Sequence, residues 1–444
     1  MVERVLVQFE ADGAGVAELS WGQREIWSAM LAKQQSLAVG GVRQVPPERT
    51  ISDVACDLQF IMTRHQSLRT RLRFMEDGTP LQVVENSGEI PLEIVDAGDE
   101  DPAKVAAAVA DRYKAVNFDY ETEWPTRMAV ITARGAATHV AEMFCHLATD
   151  GFGLAVLRDD VAARYRGQAP PVTATQPLEQ VIEQRGRAAR RTHDAAMSYH
   201  ERLLRDAPAT QFRESGDQRS PRIWVLTCTS PAAHRALQVL AARAGMTTSP
   251  VLLAAFAVTL TELTGVDRAV LNTVVNNRFR PGFAGSVSPV QQSCPCVIDP
   301  AGDFGEVLTR AFRAAMGAFK NAYFDPDGKS EQIARIGMER GTELDLSCLF
   351  NDLRAGRRGG ADTSSGADPA DLREDLSRTT LTWGERNDTP DDKLFLNIGD
   401  APGALVYELR ADTRYVSPQD METFMRRFES VLVDAATGSR TTAT

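Results

Sequence analysis

The sequence predicts a mixed α/β protein built from two halves of similar size. Strand-like and helix-like segments alternate along the whole chain. A stretch with several prolines within residues 168–220 interrupts this alternation, which then starts again. Two mixed α/β halves indicate a pseudo-symmetric molecule with a cleft between them, although a fold class alone indicates no function. We place the domains at residues 1–178 and 179–444.

The first half carries helical and extended patterns in turn. Apolar residues at helical spacing or runs of alanine predict helices, and β-rich runs predict strands: helices at 51–64 and 103–113, strands at 69–74, 81–84, 128–131 and 139–145. Arg134 and Gly135 predict a hairpin between the last two strands. A further helix begins at Asp150 or Gly151 and ends at Gly167, because these residue types suit helix ends.

The second half repeats the same kinds of pattern. We predict strands at 224–228, 269–275, 347–350, 394–398 and 404–409, another from 381 onward, and helices at 187–204, 232–243, 249–264 and 418–436. Residues 355–378 are rich in Gly, Ser, Asp and Arg and contain few apolar residues. That composition predicts a mobile surface loop.

Composition excludes several classes of function. Of the 444 residues, 43% are apolar and 25% charged, as in ordinary globular proteins. The net charge of −11 argues against a nucleic acid or an anionic membrane held by overall charge. There is no signal-peptide pattern and no apolar run of ~18 residues, so we expect a cytoplasmic protein. Cys294 and Cys296 lack a second ligand pair at zinc-site spacing, so we expect no metal site.

Residues 145–151, Cys-His-Leu-Ala-Thr-Asp-Gly, are the most informative segment. His146 ends a predicted strand, and Asp150 and Gly151 open the next helix. A histidine at such a position can exchange a proton near neutral pH, and a carboxylate just after it can orient the ring or anchor the turn. The same spacing also suits a structural histidine with an ordinary helix cap, so the residues alone leave both readings open.

The segment resembles the His-His-x-x-x-Asp-Gly motif of nonribosomal peptide synthetase condensation domains. Residues 19–27 (LSWGQREIW) look like that family's first motif, and residues 64–70 (RHQSLRT) match its second. Residues 248–278 resemble its long helix, glycine turn and strand leading to an arginine, and 415–418 (YVSP) with the terminal helix resemble its ending. The resemblance runs from about residue 19 to residue 436.

The resemblance implies two chloramphenicol-acetyltransferase-like subdomains forming a V-shaped pseudo-dimer, with the active site at their interface. It also implies acyl transfer from a thioester carried on a phosphopantetheine arm to an amine or alcohol. His146 would deprotonate or position the nucleophile. The chain itself would bind no cofactor, and its partners would be an acyl or peptidyl carrier protein and a small acceptor, free or carrier-bound.

Other motif residues receive roles from the same resemblance. Asp150 would be structural and paired with Arg278 from the other domain, with Arg280 as the fallback partner. Breaking a buried pair on one side leaves a desolvated charge, so substitutions at either residue should act largely through misfolding. Gly151 would leave room for the substrate arm, and Asn351 would contact substrate. The second motif, which includes His65, would be structural.

Cys145 departs from the family pattern because it replaces the first histidine. A thiolate nucleophile needs a neighbouring cation, and none is evident in sequence, so we interpret Cys145 as a small apolar replacement. The chain shows no adenylation domain and no Gly-Gly-x-Ser-type attachment sequence, so we expect a free-standing enzyme served by a carrier in trans. Two alternatives stay open: an acyl-CoA-dependent acyltransferase, and a catalytically degenerate protein that recruits partners.

Overall fold

The computed structural model describes residues 2–354 and 369–438, and its contacts divide the chain into two compact units. The first unit comprises Met1–Arg190 and Asn276–Gln291, and the second comprises Arg191–Val275 and Gln292–Thr444. This division differs from the predicted one in two respects. It falls at residue 190 rather than 178, and the second half returns one segment to the first unit. A prediction with one boundary could not include a segment of the second half that packs with the first unit.

The first unit combines eight strands with five helices among its described residues. A sixth helix, α6 (Arg187–Asp206), passes from the first unit into the second. The elements of the first unit are β1 (Val2–Glu10), β2 (Gly15–Glu18), α1 (Trp21–Lys33), β3 (Val39–Gln44), α2 (Ile51–Arg64), β4 (Thr70–Phe74), β5 (Pro80–Val84), β6 (Ser87–Asp96), α3 (Pro102–Ala115), β7 (Thr126–Ala133), β8 (Ala136–Phe144), α4 (Gly151–Tyr165) and α5 (Pro177–Gln184).

The main sheet of this unit has the strand order β1-β6-β7-β8-β3. Strands β6 and β7 run parallel because α3 connects them, and the other pairs are antiparallel. Side chains alternate across β8: Val140 and Phe144 pack with α2 and α4, whereas Ala141 and Met143 pack with α3. The sheet is therefore covered on both faces. A second sheet has the order β2-β5-β4.

Local signals explain where several of these elements begin and turn. Thr50 and Asp53 form a capping box at the start of α2, and Ser20 and Gln23 form another at the start of α1. Arg134 has a φ of 52° and is followed by Gly135 at 78°, the pair of positive angles that a tight two-residue hairpin requires. The predicted hairpin between β7 and β8 is thereby confirmed.

The second unit contains one mixed sheet with the order β11-β10-β12-β14-β15-β9-β13. Strand β12 is parallel to both of its neighbours, and the remaining pairs are antiparallel. Its elements are β9 (Ile223–Ser230), α7 (Pro231–Ala244), α8 (Thr248–Thr264), β10 (Ala269–Val275), β11 (Gln292–Ile298), α9 (Phe304–Asn321), α10 (Pro326–Arg340), β12 (Cys348–Asp352), α11 (Pro369–Ser377), β13 (Thr380–Asn387), β14 (Leu394–Ala401), β15 (Ala404–Asp412) and α12 (Pro418–Thr437).

A large apolar core joins this sheet to helices α7, α8, α9 and α12. Helix α8 is apolar on nearly all sides, and most of its residues are accordingly buried in that core. None of the helices in the described ranges is by itself long and apolar enough to cross a membrane. Helices α7 and α8 pass that test of length and composition only as a pair, bent by 112°.

Most of the predicted elements are present, within a few residues of their expected ends, but some expectations were wrong or incomplete. Residues 369–377 form α11 rather than loop, while 355–368 of that predicted loop lie outside the described residues. Strand β11 escaped prediction because Pro295 argues against a strand, yet β11 is an edge strand, where proline is tolerated. Strand β1 was missed although Val5, Val7 and Phe9 alternate with polar residues in part.

Candidate active site

The turn that follows β8 is held by backbone hydrogen bonds from two other segments. The amide of Cys145 donates to the carbonyl of Pro125 at 3.0 Å, and the amide of His146 donates to the carbonyl of Ser36 at 3.2 Å. Within the turn, the amide of Ala148 donates to the carbonyl of Cys145 at 2.9 Å. The backbone of the predicted catalytic histidine is thus anchored before its side chain makes any contact.

His146 is the one residue in 140–150 that is not buried. Its neighbours on both sides pack into the interior: Cys145 is 1% exposed, and Thr149 and Asp150 are 0% and 2% exposed. The turn therefore presents a single side chain to solvent or to a substrate. A partly exposed imidazole in a buried, hydrogen-bonded turn is well placed for proton transfer.

The protonation pattern of the His146 ring follows from its hydrogen bond. Nδ1 lies 2.9 Å from the backbone carbonyl oxygen of Thr149. Because a carbonyl oxygen can only accept, Nδ1 of the neutral ring carries the hydrogen and Nε2 retains its lone pair. The same bond sets the ring's orientation, so a carbonyl, rather than the carboxylate of Asp150, does the orienting that the sequence left open.

The Asp150 carboxylate makes two other sets of hydrogen bonds. Its Oδ1 accepts from the amide of Gly153 at 2.7 Å, which makes it the N-cap of α4. Both carboxylate oxygens also accept from Arg278, at 2.8 and 2.9 Å, in a two-pronged ion pair. The side chains of Asp150 and Arg278 are only 2% and 9% exposed, so this pair is buried.

Arg278 belongs to the segment Asn276–Gln291, which follows β10 and packs with the first unit. It was expected from the other domain, but the contacts place it in the same unit as Asp150. Besides Asp150, it donates to the carbonyl of Ser286 at 3.0 Å. Arg280, the fallback partner, instead donates to the side chain of Asn277 at 2.9 Å. The structure therefore brings Arg278, and not Arg280, to Asp150.

Two glycines in the first turn of α4 have opposite surroundings. A Cβ added at Gly151 would meet nothing within 4 Å, so the space in front of this predicted motif residue is open. A Cβ at Gly153 would lie 2.3 Å from both Thr149 Oγ1 and Val287 O. Gly153 is thus required by close packing of α4 against the 276–291 segment, a requirement that the sequence analysis missed.

Residues of the second motif contact α4 through Asp160. Arg64 donates to Asp160 on α4 at 2.7 Å, and His65 Nε2 lies 2.9 Å from the same carboxylate. Burial lowers the pKa of His65 despite the opposing effect of Asp160. Its ring, 2% exposed, is packed within the protein and not available to a substrate. These contacts give the second motif a structural place beneath α4.

Cys145 lies in an apolar cluster with residues such as Leu19 and Phe118. Burial raises the pKa of Cys145 to about 12, so the thiol stays protonated near neutral pH. An adjoining cavity of about 20 Å³, lined by Cys145, Leu147 and Tyr120 among others, has room for about one water molecule. Cys145 therefore packs as a small apolar residue and is not an activated nucleophile.

Ser36 is a further residue that the sequence analysis did not select. It is 3% exposed, and its hydroxyl accepts from the amide of Phe118 at 2.8 Å and pairs with the Tyr120 hydroxyl at 2.9 Å. Its carbonyl is the acceptor for His146 described above. No short motif marks Ser36, since its partners lie about 80 to 110 residues away in the chain.

Asn351, the predicted substrate contact, lies on β12 in the second unit. Its side-chain amide donates to Asn397 Oδ1 on β14 at 3.1 Å. Asn351 and Asn397 are paired residues of β12 and β14, and Asp352 follows Asn351 at the end of β12. Contact between Asn351 and a substrate stays a prediction.

Both units are mixed α/β, and the first places a histidine in a strand-to-helix turn above a buried ion pair. This is the chloramphenicol-acetyltransferase-like fold. A condensation domain described for chain release from the enacyloxin polyketide synthase matches 96% of this chain and 84% of its own, with a TM-score of 0.73 and 19% identity. The epimerization domain from the third module of tyrocidine synthetase B matches 97% and 99%, with a TM-score of 0.72 and 12% identity.

The family model described as condensation domain matches residues 14–327. The chain therefore belongs to the condensation-domain family. Among curated proteins it is 28% identical to the nonribosomal peptide synthetase kk1B of Curvularia clavata over 285 residues, which is 60% of this chain. The chain spans only 2% of the length of that relative.

Proposed function

We propose that this chain transfers an acyl group from a carrier-protein thioester to an amine or an alcohol, with His146 as the proton acceptor. The nucleophile attacks the thioester carbonyl, its C–N or C–O bond forms, and the C–S bond breaks. The proton of the nucleophile passes to Nε2 of His146 and then to the departing thiolate. The products are an amide or ester and the free thiol of the carrier arm.

The observation that carries this proposal is the hydrogen bond from His146 Nδ1 to the carbonyl of Thr149. It leaves Nε2 as an acceptor on the only residue of 140–150 that is not buried. A histidine with only a structural role is expected to have both ring nitrogens hydrogen-bonded, or to be buried as His65 is. The buried Asp150–Arg278 pair supports the turn from below and takes no part in proton transfer.

The carrier and its phosphopantetheine arm would be partners and not parts of this chain. Condensation domains act with carrier domains and need no cofactor of their own. We propose that a carrier protein delivers the acyl group to this chain on its phosphopantetheine arm. The acceptor would be a small amine or alcohol, free or carrier-bound, and we retain Asn351 as a contact to substrate.

The test uses the purified chain with one acyl group presented on a carrier protein and on CoA, together with a panel of amines and alcohols. Product from the carrier thioester alone supports the proposal, and product from CoA alone supports the acyl-CoA-dependent alternative. Absence of product from every donor, with the protein folded, favours the recruitment role. The Asn351→Ala variant should raise KM for one substrate while kcat changes little.

The role of His146 needs its own comparison. His146→Ala should lower kcat by about 10²–10⁴-fold, the usual contribution of a positioned general base. His139→Ala is the matched control, since His139 lies on β8, the strand that leads into the His146 turn, and is also partly exposed. Added imidazole should restore part of the activity of the alanine variant. Unchanged turnover in His146→Ala contradicts the proposal.

A further inference from the structure

A cavity of about 350 Å³ lies between α2, α4 and the main sheet of the first unit. Its size falls in the range of small-molecule sites. One side is apolar and is formed mainly by five residues: Ile61, Met128, Phe144, Leu154 and Leu157. The other side is formed by charged residues and a tyrosine: Arg43, Arg49, Asp57, Glu142, Arg158 and Tyr165.

The charged side carries more positive than negative groups. Asp57 accepts from Arg49 at 2.6 Å and from Arg164 at 3.0 Å. Glu142 accepts in the same way from two arginines, Arg43 at 3.3 Å and Arg158 at 3.4 Å. Among the cavity's lining residues, three guanidinium groups therefore face two carboxylates, and Arg164 contacts Asp57 from outside the lining.

Three donors contact the Asp57 carboxylate. The Tyr165 hydroxyl also donates to it, at 3.0 Å, so its oxygens are already occupied by donors. Burial raises the pKa of Asp57 against the effect of its arginine partners. Any proton that it takes up would enlarge the positive excess on this side of the cavity.

Arg49 is the most enclosed of these groups. Its side chain is 8% exposed, and its guanidinium lies over the Tyr165 ring at 3.8 Å from the centroid. Its Nε is buried and has no hydrogen-bond partner among residues 2–354 and 369–438. Because this Nε has almost no accessible surface, it does not itself line the cavity.

We propose that this cavity binds a compound with an apolar body that ends in a carboxylate. The carboxylate binds at the arginines of the lining, Arg43, Arg49 and Arg158, which outnumber its two carboxylates. The apolar body lies against the side formed by Phe144 and Leu154. A carboxylate suits a guanidinium because both are planar and match each other's hydrogen-bonding geometry.

Phe144 ends β8 and Leu154 lies in the first turn of α4, the two elements that flank the His146 turn. The carboxylate therefore has two candidate sources, a free small molecule and the far end of an acyl group on the donor. The binding site is defined by the cavity and does not depend on the proposed acyl transfer.

The first experiment measures binding by titration calorimetry with octanoate, and with octanol and octylamine as neutral and cationic probes of equal length. Octanoate should bind at least tenfold more tightly than either. Arg49→Met should lower octanoate affinity at least tenfold, and Arg134→Met, at an exposed arginine of the β7–β8 turn, should not change it. Val161→Trp, which fills the cavity without removing a charge, should abolish binding.

Val161→Trp keeps the test valid if Arg49→Met fails to fold. Equal affinity for octanoate and octanol, or octanoate binding that survives both variants, overturns the proposal. A second experiment distinguishes the two sources by comparing octanoyl and 7-carboxyheptanoyl groups on the carrier. A higher kcat/KM for the carboxylated donor, lost in Arg49→Met, identifies the acyl group as the source. Octanoate binding without that preference identifies the free carboxylate.

Discussion

The buried ion pair of Asp150 and Arg278 allows a quantitative test of how the His146 turn is held. We predict that Asp150→Asn lowers the free energy of unfolding by about 3–5 kcal/mol, the usual cost of removing one partner of a buried pair. The two side chains are 2% and 9% exposed and are joined by bonds of 2.8 and 2.9 Å. Water therefore offers the remaining charge little compensation.

Asparagine isolates the effect of the charge. It is as good an N-cap as aspartate, so the hydrogen bond from the Gly153 amide can be kept. Its amide nitrogen, however, would turn a donor toward a guanidinium that has only donors. The loss should therefore come from Arg278 and not from the start of α4.

Urea denaturation followed by circular dichroism measures the free energy, and hydrogen exchange at residues 150–158 shows whether the loss is local. Arg278→Met should cost a similar amount, and the double variant should cost less than the sum of the two. Glu18→Gln serves as the control because its ion pair with Arg185 lies at the surface. The side chains of Arg185 and Glu18 are 61% and 38% exposed. That control should cost under ~1 kcal/mol.

An unfolding free energy for Asp150→Asn within about 0.5 kcal/mol of the parent would refute the reasoning, since ordinary surface substitutions have effects of that size. Unchanged hydrogen exchange at the start of α4 would lead to the same conclusion. Normal turnover in such a stable variant would also remove the assignment of Asp150 as a structural partner.

Three further predictions concern the same fold. Gly153→Ala should destabilise by about 1–3 kcal/mol in urea denaturation, because its Cβ would lie 2.3 Å from Val287 O, whereas Gly151→Ala should stay within about 0.5 kcal/mol. Ser36→Ala should lower kcat roughly tenfold in the acyl-transfer assay with KM little changed: its carbonyl still accepts from the His146 amide, but the hydroxyl contacts with Phe118 and Tyr120 that position this carbonyl are lost. Burial lowers the pKa of His200 to about 3, so stability is full above the unfolded value near 6.5 and falls with decreasing pH. Urea denaturation measured at pH 7.5 and at pH 5 should show that the parent protein loses about 2 kcal/mol of unfolding free energy. The His200→Gln variant should not show this loss.

Local physical signals account for what the sequence predicted well. The hairpin at Arg134 and Gly135 and the N-cap at Asp150 each depend on residues within about four positions of one another. Apolar periodicity likewise predicted strand β10 at its observed bounds, 269–275. Such signals act before any long-range contact forms, so they can be recognised without the tertiary structure.

The candidate site depended on more than local signals. The residues alone left His146 open between a catalytic and a structural role, and Asp150 between orienting the ring and anchoring the turn. Resemblance to condensation domains selected Arg278, which lies 128 positions from Asp150. Spacing and periodicity carry no information about a partner at that distance.

Local sequence patterns were enough to predict the alternation of strands and helices, the start of α4 and the strand-to-helix position of His146. Long-range packing produced two features that the sequence did not indicate: residues 276–291 pack with the first unit, and Gly153 has no room for a side chain. The physical reason is that helix caps and turns are determined by neighbours in the chain. Close packing and buried hydrogen bonds are determined by neighbours in space, which the folded chain brings together from distant positions.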